Sequence, residues 1–359
     1  MIDPREATEI KYFNVVRFIL LAQFITIWLS IILFIYYKLS FKRFKLKNVR
    51  SKEVIILRNL WLFPGQGGQN PGMLDKVDPQ LKEQVEKWTN VKLLDTAEGY
   101  QDSVQIQLSI LLLQIDQVDQ LKKLGWQPTL VAGHSLGIFA AAYAAGVINK
   151  EDVFKLVALR AKLMQECYLE GYGMGVVVGL SRPEVKKLVA EVHSDTNPVY
   201  ISNQNSEMQN TISGKLIAIK QVLALAKENG ASKAKLLHVP NPSHSPLMQK
   251  TADQLNTFIA QLNLHQPSCI YLANYNGHAV RSLKDIKYDL GNNVIYPVLW
   301  ETMMQVALEY QPDVSSEFSP GTAFTKLLKA KTDQLHMVTL SAMSIDDADY
   351  LFNKWEKKE

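Results

Sequence analysis

The chain has 359 residues, of which 47% are hydrophobic and 21% are charged, which suits a globular protein with a large core or two unequal domains. The formal net charge of +4 comes from a basic excess within residues 1–52, and the mildly acidic remainder excludes a typical nucleic-acid-binding protein. The two cysteines, Cys167 and Cys269, lack metal-ligand spacing, and their small number argues against a disulfide framework.

The first predicted element is a transmembrane helix at residues 18–37, a segment of twenty residues without a charge. A helix of this length crosses about 30 Å of hydrocarbon. It follows a charge-balanced tail, residues 1–17, and precedes a basic linker, residues 38–55. The positive-inside rule places the C-terminal side in the cytoplasm. We expect the anchor to lie in the inner (plasma) membrane, with the catalytic domain in the cytoplasm. The alternatives are a buried core helix or a start codon assigned too far upstream, which leaves a cytoplasmic protein without an anchor.

The next predicted elements are a strand at "NLWLF" and a glycine-rich loop at residues 63–73. The loop sequence "FPGQGGQ" is neither a Walker loop nor a dinucleotide fingerprint. We interpret it as a rigid loop that aims a backbone N–H and Gln66 at a site. A phosphate-binding loop and a plain turn are the alternatives.

A nucleophile elbow is predicted at Ser135, after the amphipathic helix "VQIQLSILLLQIDQVDQLKKLG". The segment "TLVAGHSLGIFAAAYAAG" gives strand, turn and helix, and its turn has the pattern Gly-x-Ser-x-Gly. In such a turn the serine oxygen is exposed, and the N–H of the next residue, Leu136, points to where an oxyanion forms. A turn serine without a chemical role is the alternative.

Arg160 lies on the apolar face of the next predicted helix, "EDVFKLVALRAKLMQE". A lone arginine on such a face is costly unless it is paired. It either forms a structural salt bridge or binds a substrate carboxylate through its guanidinium fork. Beside a serine nucleophile, the second interpretation predicts an acyl group with its own carboxylate, such as malonyl.

Residues 174–239 are predicted to form a small inserted domain. Their strands and helices follow in the order β-α-β-β-α-β, which is that of a ferredoxin-like unit. The flanking segments, residues 56–173 and 240–359, alternate strands with helices and predict an α/β core.

His244 is the predicted general base, because it lies in the loop "VPNPSHSPLM" where the chain re-enters the core. His134 is adjacent to Ser135, but we expect its side chain to point away from the turn. No Asp or Glu stands out as a third member of a triad. A backbone carbonyl or an amide such as Asn293 could orient the imidazole instead.

Four motifs occur in order along the chain, "FPGQGGQ", "GHSLG", "LRAKLMQE" and "NPSHSPLM". Together they resemble the malonyl-CoA:acyl carrier protein transacylases, the acyltransferases of fatty-acid and polyketide synthesis, over about residues 61–340. Within the family, "NPGML", "EGYGM" and "PVYISNQN" resemble the malonate decarboxylase epsilon subunit, which loads malonyl onto the decarboxylase's own acyl carrier protein. Three features depart from the family pattern: Ile138, where synthase enzymes usually have Glu, "NSEMQ" in place of the commoner "NSPGQ", and the leader before the first motif.

The resemblance implies an α/β-hydrolase-like core with a parallel sheet and a ferredoxin-like insertion. It implies that Ser135 is the acylated nucleophile and that His244 is its general base, then its general acid. It further implies that Arg160 binds the malonyl carboxylate.

The resemblance also implies the supporting roles in the site. The backbone N–H groups of Gln66 and Leu136 form the oxyanion hole. Gln107 lines the pocket, and the backbone carbonyl of Asn293 orients the histidine.

The function that these features predict is malonyl transfer from CoA, through a malonyl-serine, to the phosphopantetheine-type thiol of an acyl carrier protein. No metal and no permanently bound cofactor is expected. Other malonate decarboxylase subunits and the membrane, through residues 18–37, are the further predicted partners. The alternatives are the same transfer in fatty-acid or polyketide synthesis, an acyl-thioester hydrolase of the same fold, a lipase or esterase, and an inactive membrane-anchored scaffold that docks a carrier protein.

Overall fold

The computed structural model describes residues 57–167 and 170–356. Its strands are β1 (Asn59–Phe63), β2 (Leu130–Gly133), β3 (Tyr172–Val178), β4 (Val199–Ser206), β5 (Gln209–Lys215), β6 (Lys233–Leu236), β7 (Ile270–Leu272), β8 (Ala279–Val280), β9 (Val314–Glu317) and β10 (His336–Thr339). Its helices are α1 (Pro79–Thr89), α2 (Ser103–Lys123), α3 (Gly137–Ala144), α4 (Lys150–Cys167), α5 (Arg182–Val192), α6 (Leu216–Glu228), α7 (Gln249–Ile259), α8 (Leu283–Asn292), α9 (Trp300–Glu309), α10 (Ala323–Lys329) and α11 (Ile345–Glu356). Short 3-10 turns occur at Gly99–Gln101 and Pro246–Met248.

The larger sheet has the strand order β10-β9-β1-β2-β7-β8. Its first five strands are parallel, and β8 pairs with β7 in the antiparallel sense. From β1 outward, β2 and β7 are added on one side and β9 and β10 on the other, which is the order of a doubly wound sheet. The α/β class and the parallel sheet are therefore confirmed.

The central strands of this sheet are buried on both faces, as parallel strands usually are. In β1, Trp61 and Phe63 pack into one apolar cluster and Leu60 and Leu62 into another, because alternate side chains point to opposite faces. Helices α9 and α10 cover the second cluster, and most of the other helices cover the first. Because helices pack on both faces of the sheet, they hold in place the strand ends that carry the candidate site.

The smaller sheet contains β3 to β6 in the antiparallel order β4-β5-β3-β6. With α5 and α6 it gives the element order β-α-β-β-α-β that the sequence predicts, between residues 172 and 236. Ser181 forms a capping box with Glu184 at the start of α5. The edge strand β4 joins the core through Val298, whose N–H donates to the Ser202 carbonyl at 2.8 Å and whose carbonyl accepts from the Gln204 N–H at 2.9 Å.

The membrane helix predicted at residues 18–37 lies outside the described residues, as do the tail and the basic linker beside it. Among the described helices, none has the length and apolarity that a membrane span requires. The sequence did not predict strands β8 and β10 or helices α10 and α11, and it predicted one helix between β7 and β9 where the structure has two, α8 and α9. Two of these elements are short, with two residues in β8 and four in β10, and so give little periodicity to detect.

Candidate active site

The candidate site lies at the carboxyl ends of three parallel strands. The loop with Gln66 follows β1, the turn with Ser135 follows β2, and Asn274 follows β7. Because β1, β2 and β7 are neighbours in the sheet, these segments meet at one edge. This edge is where open α/β sheets bind their ligands.

The turn at Ser135 has the backbone of a nucleophile elbow. Ser135 adopts a φ of 53°, a left-handed conformation that is uncommon for a residue with a side chain. A Cβ atom at Gly137 would lie 1.9 Å from the carbonyl oxygen of Phe63, and one at Gly133 would lie 2.2 Å from the Gly137 carbon. Both glycines of the motif are thus required by the close approach of β1, β2 and α3.

His244 contacts the nucleophile directly. Its Nε2 lies 2.8 Å from the Ser135 Oγ. Its Nδ1 lies 2.9 Å from the Asn293 carbonyl oxygen and 3.1 Å from that of Tyr296. Because carbonyl oxygens only accept hydrogen bonds, Nδ1 carries the proton and Nε2 presents its lone pair to the serine hydroxyl. This is the tautomer that a general base needs, and backbone carbonyls provide the orientation that an acid provides in a triad.

His244 is buried and held in a strained backbone. Its φ is 62°, and its N–H donates to the Val294 carbonyl at 2.7 Å. Burial, with smaller effects from the nearby Arg160 and His134, lowers the pKa of His244 to about 3. The imidazole is therefore neutral at physiological pH.

Arg160 projects from α4 toward the nucleophile and is 1% exposed. Its Nη2 donates to the Ser135 Oγ at 3.2 Å, and its Nη1 donates to the Gln107 Oε1 at 2.5 Å. Its guanidinium also lies 5.6 Å from the centre of the Phe139 ring. Within residues 57–167 and 170–356, no carboxylate forms an ion pair with it, so the salt-bridge alternative finds no partner there.

Burial lowers the pKa of Arg160 to about 9, which leaves the guanidinium charged at neutral pH. Its Nε also has no hydrogen-bond partner in the described structure. A buried cation in this state is unfavourable by itself and favours an anionic ligand. The site can therefore bind a carboxylate next to the serine oxygen.

Gln107 is fully buried on α2, where it supports Arg160. Its Nε2 donates to the Ser103 Oγ at 3.0 Å and contacts the Met164 sulfur at 3.8 Å, which leaves the Oε1 facing the guanidinium. The predicted pocket-lining residue thus lies in the site.

Two backbone N–H groups near the serine are free to bind an oxyanion. No group in the described part of the chain accepts a hydrogen bond from the N–H of Leu136 or of Gln66. The N–H of Ser135 itself is not available, because it donates to the Asn274 Oδ1 at 3.0 Å. The Gln66 side chain is exposed, so the backbone N–H is the part of this residue that remains as a candidate oxyanion donor.

The loop with Gln66 is held at its base by a buried glutamine. Gln114 Nε2 donates to the Pro64 carbonyl at 2.8 Å and to the Ser319 carbonyl at 3.0 Å. A Cβ atom at Gly65 would lie 2.8 Å from the His134 carbonyl oxygen, so the loop packs closely against the serine turn.

His134 points away from the serine, as its position predicts. Its Nε2 lies 3.0 Å from the Asn205 Oδ1 of β4, and its ring packs near Trp300 and Phe324. Burial lowers the pKa of His134 to about 4, so this imidazole is also neutral at physiological pH.

Three residues of the site were missed in the sequence: Asn274, Tyr296 and Asp289. Asn274 joins the serine turn to Asn293, Tyr296 supplies a second carbonyl to His244, and Asp289 accepts from the Asn274 N–H at 3.0 Å. One signal was available for Asn274, since it directly follows the apolar strand "CIYLA" and polar residues at carboxyl strand ends gather at one edge. Tyr296 acts through its backbone carbonyl, so the identity of its side chain gives no sign of this role in the sequence.

Comparison with known proteins gives a family match over most of the chain. The acyl transferase domain family matches residues 60–349. The malonyl CoA-acyl carrier protein transacylase of Escherichia coli (strain K12) is 30% identical over 297 residues, which cover 79% of this chain and 95% of that protein. The transacylase of the same name from Bacillus subtilis (strain 168) is 28% identical over 293 residues, which cover 78% of this chain and 92% of that protein.

Solved structures agree with this match. The malonyl CoA-acyl carrier protein transacylase from Coxiella burnetii superimposes with a TM-score of 0.79 at 28% identity and covers 84% of this chain and 99% of its own. A malonyl-transacylase in complex with its type II PKS acyl-carrier protein has a TM-score of 0.77 at 28% identity and covers 81% of this chain and 98% of its own.

Proposed function

Because the chain belongs to the acyl transferase domain family, we propose that it transfers malonyl from malonyl-CoA to an acyl carrier protein. Ser135 is the nucleophile, His244 the general base and acid, and Arg160 the residue that recognises the malonyl carboxylate. The relatives named above carry this activity in their names, and the geometry of the site supports it.

The observation that carries the proposal is the buried guanidinium of Arg160. It lies 3.2 Å from the serine oxygen and has no carboxylate partner among the described residues. An acyl group with a terminal carboxylate can supply that partner while its thioester carbonyl lies at Ser135. A neutral acetyl group leaves the buried charge unpaired, which disfavours it.

In the first half-reaction, the Ser135 Oγ attacks the thioester carbonyl carbon and its proton moves to the His244 Nε2. The N–H groups of Leu136 and Gln66 stabilise the oxyanion that forms on the carbonyl oxygen. The carbon–sulfur bond then breaks, and the CoA thiol leaves with the proton from His244. A malonyl ester on Ser135 remains.

The second half-reaction reverses these roles. His244 takes the proton from the carrier's phosphopantetheine thiol, and the sulfur attacks the malonyl ester. When the ester bond breaks, the Ser135 oxygen regains a proton from His244. The neutral imidazole present at physiological pH is the form that both steps require, since the pKa of His244 is lowered to about 3.

Substrate binding and base strength are coupled in this proposal. The positive charge of Arg160 is one cause of the low pKa of His244. A bound malonyl carboxylate offsets that charge and so raises the pKa of His244 when the substrate is in place. The correct substrate thus strengthens its own general base.

The test is intact-mass analysis of the full chain after mixing with malonyl-CoA, beside the Ser135→Ala variant. We expect a malonyl adduct on the wild type only. Addition of a phosphopantetheinylated carrier protein should remove the adduct and place malonyl on the carrier. Release of CoA and free malonate without a malonyl carrier would contradict transfer and favour the hydrolase, and no adduct with no CoA release would contradict the proposal altogether.

The carrier and the location belong to the proposal as well. We propose the acyl carrier protein of a malonate decarboxylase as the acceptor, which is tested by comparing it with fatty-acid and polyketide carriers under the same conditions. The predicted helix at residues 18–37 would anchor the enzyme at the cytoplasmic side of the inner membrane. Peptides from residues 1–17 in the membrane fraction would support this, and an enzyme that begins beyond them would contradict it.

A further inference from the structure

We infer that Asn274 is a positioning residue that holds the nucleophile and its base in one rigid frame, and that Asp289 orients Asn274. This inference rests on the proposed function, because it assigns a role within the same site. Asn274 touches neither the hydroxyl of Ser135 nor the ring of His244 in the hydrogen bonds of the structure, so its effect on catalysis passes through the residues that it binds.

Asn274 is 1% exposed and uses both ends of its amide. Its Oδ1 accepts from the Ser135 N–H at 3.0 Å and from the Asn293 Nδ2 at 3.0 Å. Its Nδ2 donates to the Gly133 carbonyl at 2.6 Å. Because Ser135 N–H can only donate and the Gly133 carbonyl can only accept, the orientation of the amide is fixed by its partners.

These bonds close a ring of four residues. The Ser135 N–H binds the Asn274 side chain, which binds the Asn293 side chain. The Asn293 carbonyl then accepts from the His244 Nδ1 at 2.9 Å, and the His244 Nε2 returns to the Ser135 Oγ at 2.8 Å. The Asn274 amide therefore supports both members of the Ser–His contact. It binds Ser135 directly and reaches His244 through Asn293.

Ser135 and His244 both have positive φ values, 53° and 62°, so neither holds its conformation without support. Asn274 binds the serine turn at two points, the Ser135 N–H and the Gly133 carbonyl. It also occupies the Ser135 N–H, which leaves the Leu136 N–H as the donor in this turn for an oxyanion.

Asp289 fixes Asn274 in turn. Its Oδ1 accepts from the N–H groups of Asn274 at 3.0 Å and Tyr275 at 3.2 Å, and its Oδ2 accepts from the Tyr271 hydroxyl at 2.9 Å. It lies on α8, one helical turn before Asn293, so the same helix binds the backbone of Asn274 and delivers the carbonyl that orients His244. In the described structure Asn274, Asn293 and Asp289 form no hydrogen bond with Arg160, whose guanidinium donates to Gln107 and to the Ser135 Oγ.

The experiment measures the single-turnover rate of Ser135 acylation and the malonyl-CoA concentration at half-saturation, in the full chain. For Asn274→Ala we expect the acylation rate to fall by about 30- to 100-fold, since hydrogen bonds that align both reacting groups are lost. The half-saturating concentration should change less than about threefold, because Gln107 and Arg160 keep their contacts. A change confined to the rate separates positioning from loss of the binding site.

Asn293→Ala tests ring closure by itself, because it removes the side-chain bond to Asn274 and leaves the backbone carbonyl for His244. We expect a fall in rate of about 3- to 10-fold. In the double variant the effects should not multiply, and the rate should stay within about twofold of Asn274→Ala, because both changes break the same ring. If Asn274→Ala does not fold, the single variant Asn293→Ala still tests whether the ring positions the reacting groups.

The matched control is Asn59→Ala, which truncates a buried asparagine of β1 that accepts from the Ser316 hydroxyl and forms no hydrogen bond with the four ring residues. We expect it to lower the melting temperature but to acylate within about twofold of the wild-type rate. Acylation of Asn274→Ala at the wild-type rate, or single effects that multiply in the double variant, would overturn the inference. If the wild type itself forms no malonyl-serine, the proposed function fails instead.

Discussion

Arg160 is a residue whose environment decides its chemistry. It lies in the protein interior, beside a neutral glutamine and the serine hydroxyl, and has no carboxylate partner among the described residues. Because burial lowers the pKa of Arg160 only to about 9, it stays charged at neutral pH. By contrast, Arg182 forms an ion pair with Glu301 at 2.6 Å, so its charge is balanced within the protein.

We therefore expect Arg160→Ala to remove the preference for malonyl-CoA. The ratio of kcat/KM for malonyl-CoA over acetyl-CoA should fall by roughly 100-fold, the order of a hydrogen-bonded charge pair. Arg160→Lys should give an intermediate ratio, because it keeps the charge but not the fork. Arg182→Ala is the control for loss of an arginine outside the site, and an Arg160→Ala protein that still prefers malonyl would contradict the assignment.

At the scale of elements, the serine turn depends on how closely β1, β2 and α3 approach. Helix α3 packs against both strands with small, fully buried side chains, among them Ala140, Ala141 and Ala142. The contact brings the Phe63 carbonyl to within 1.9 Å of where a Cβ of residue 137 would lie. The position of the nucleophile is thus set by the packing of backbone on backbone.

Gly137→Ala should consequently destabilise the protein by roughly 3 kcal/mol or more, because a strand would have to shift to admit the methyl group. Gly230→Ala is the matched control: it has a φ of 89° and nothing within 4 Å of the added Cβ, so only backbone strain of about 1 kcal/mol applies. Urea unfolding of both variants measures the difference. Equal losses of stability would show that the close approach at Gly137 is not rigid.

At the scale of the whole molecule, buried titratable groups link stability to pH in opposite directions. Burial lowers the pKa of His134 to about 4 and that of His244 to about 3, so between pH 6.5 and 4 the unfolded chain binds protons that the folded chain does not. These two groups make stability fall as the pH falls. Burial raises the pKa of Asp289 to about 6. At this residue the folded chain binds a proton at a higher pH than the unfolded chain does, which partly offsets the loss of stability as the pH falls.

Asp289→Asn removes the opposing group and can still accept from the Asn274 and Tyr275 N–H groups. We expect its unfolding free energy to fall more steeply than that of the wild type between pH 6 and 4.5. The added slope is at most about 1.4 kcal/mol per pH unit, the value for one proton. Urea unfolding across this range checks it, and parallel curves for the two proteins would contradict a raised pKa for Asp289.

The sequence by itself determined the local chemistry. The elbow at Ser135, the loop with Gln66, the apolar-face Arg160 and the loop with His244 are patterns within short segments. Each reflects what a turn or a helix face requires of its own residues. The α/β class followed in the same way, from strands and helices that alternate along the chain.

Only the tertiary structure decided which of these segments meet and what else joins them. Asn274 and Ser135 are 139 positions apart, and their hydrogen bond exists because β7 lies beside β2 in the sheet. The carbonyls that orient His244 are backbone groups, which no side-chain pattern reports. The absence of a carboxylate partner for Arg160 within the described chain is likewise a property of packing. Periodicity and motifs describe what each segment favours locally, whereas the strand order and the contacts across it arise from the burial of all segments together.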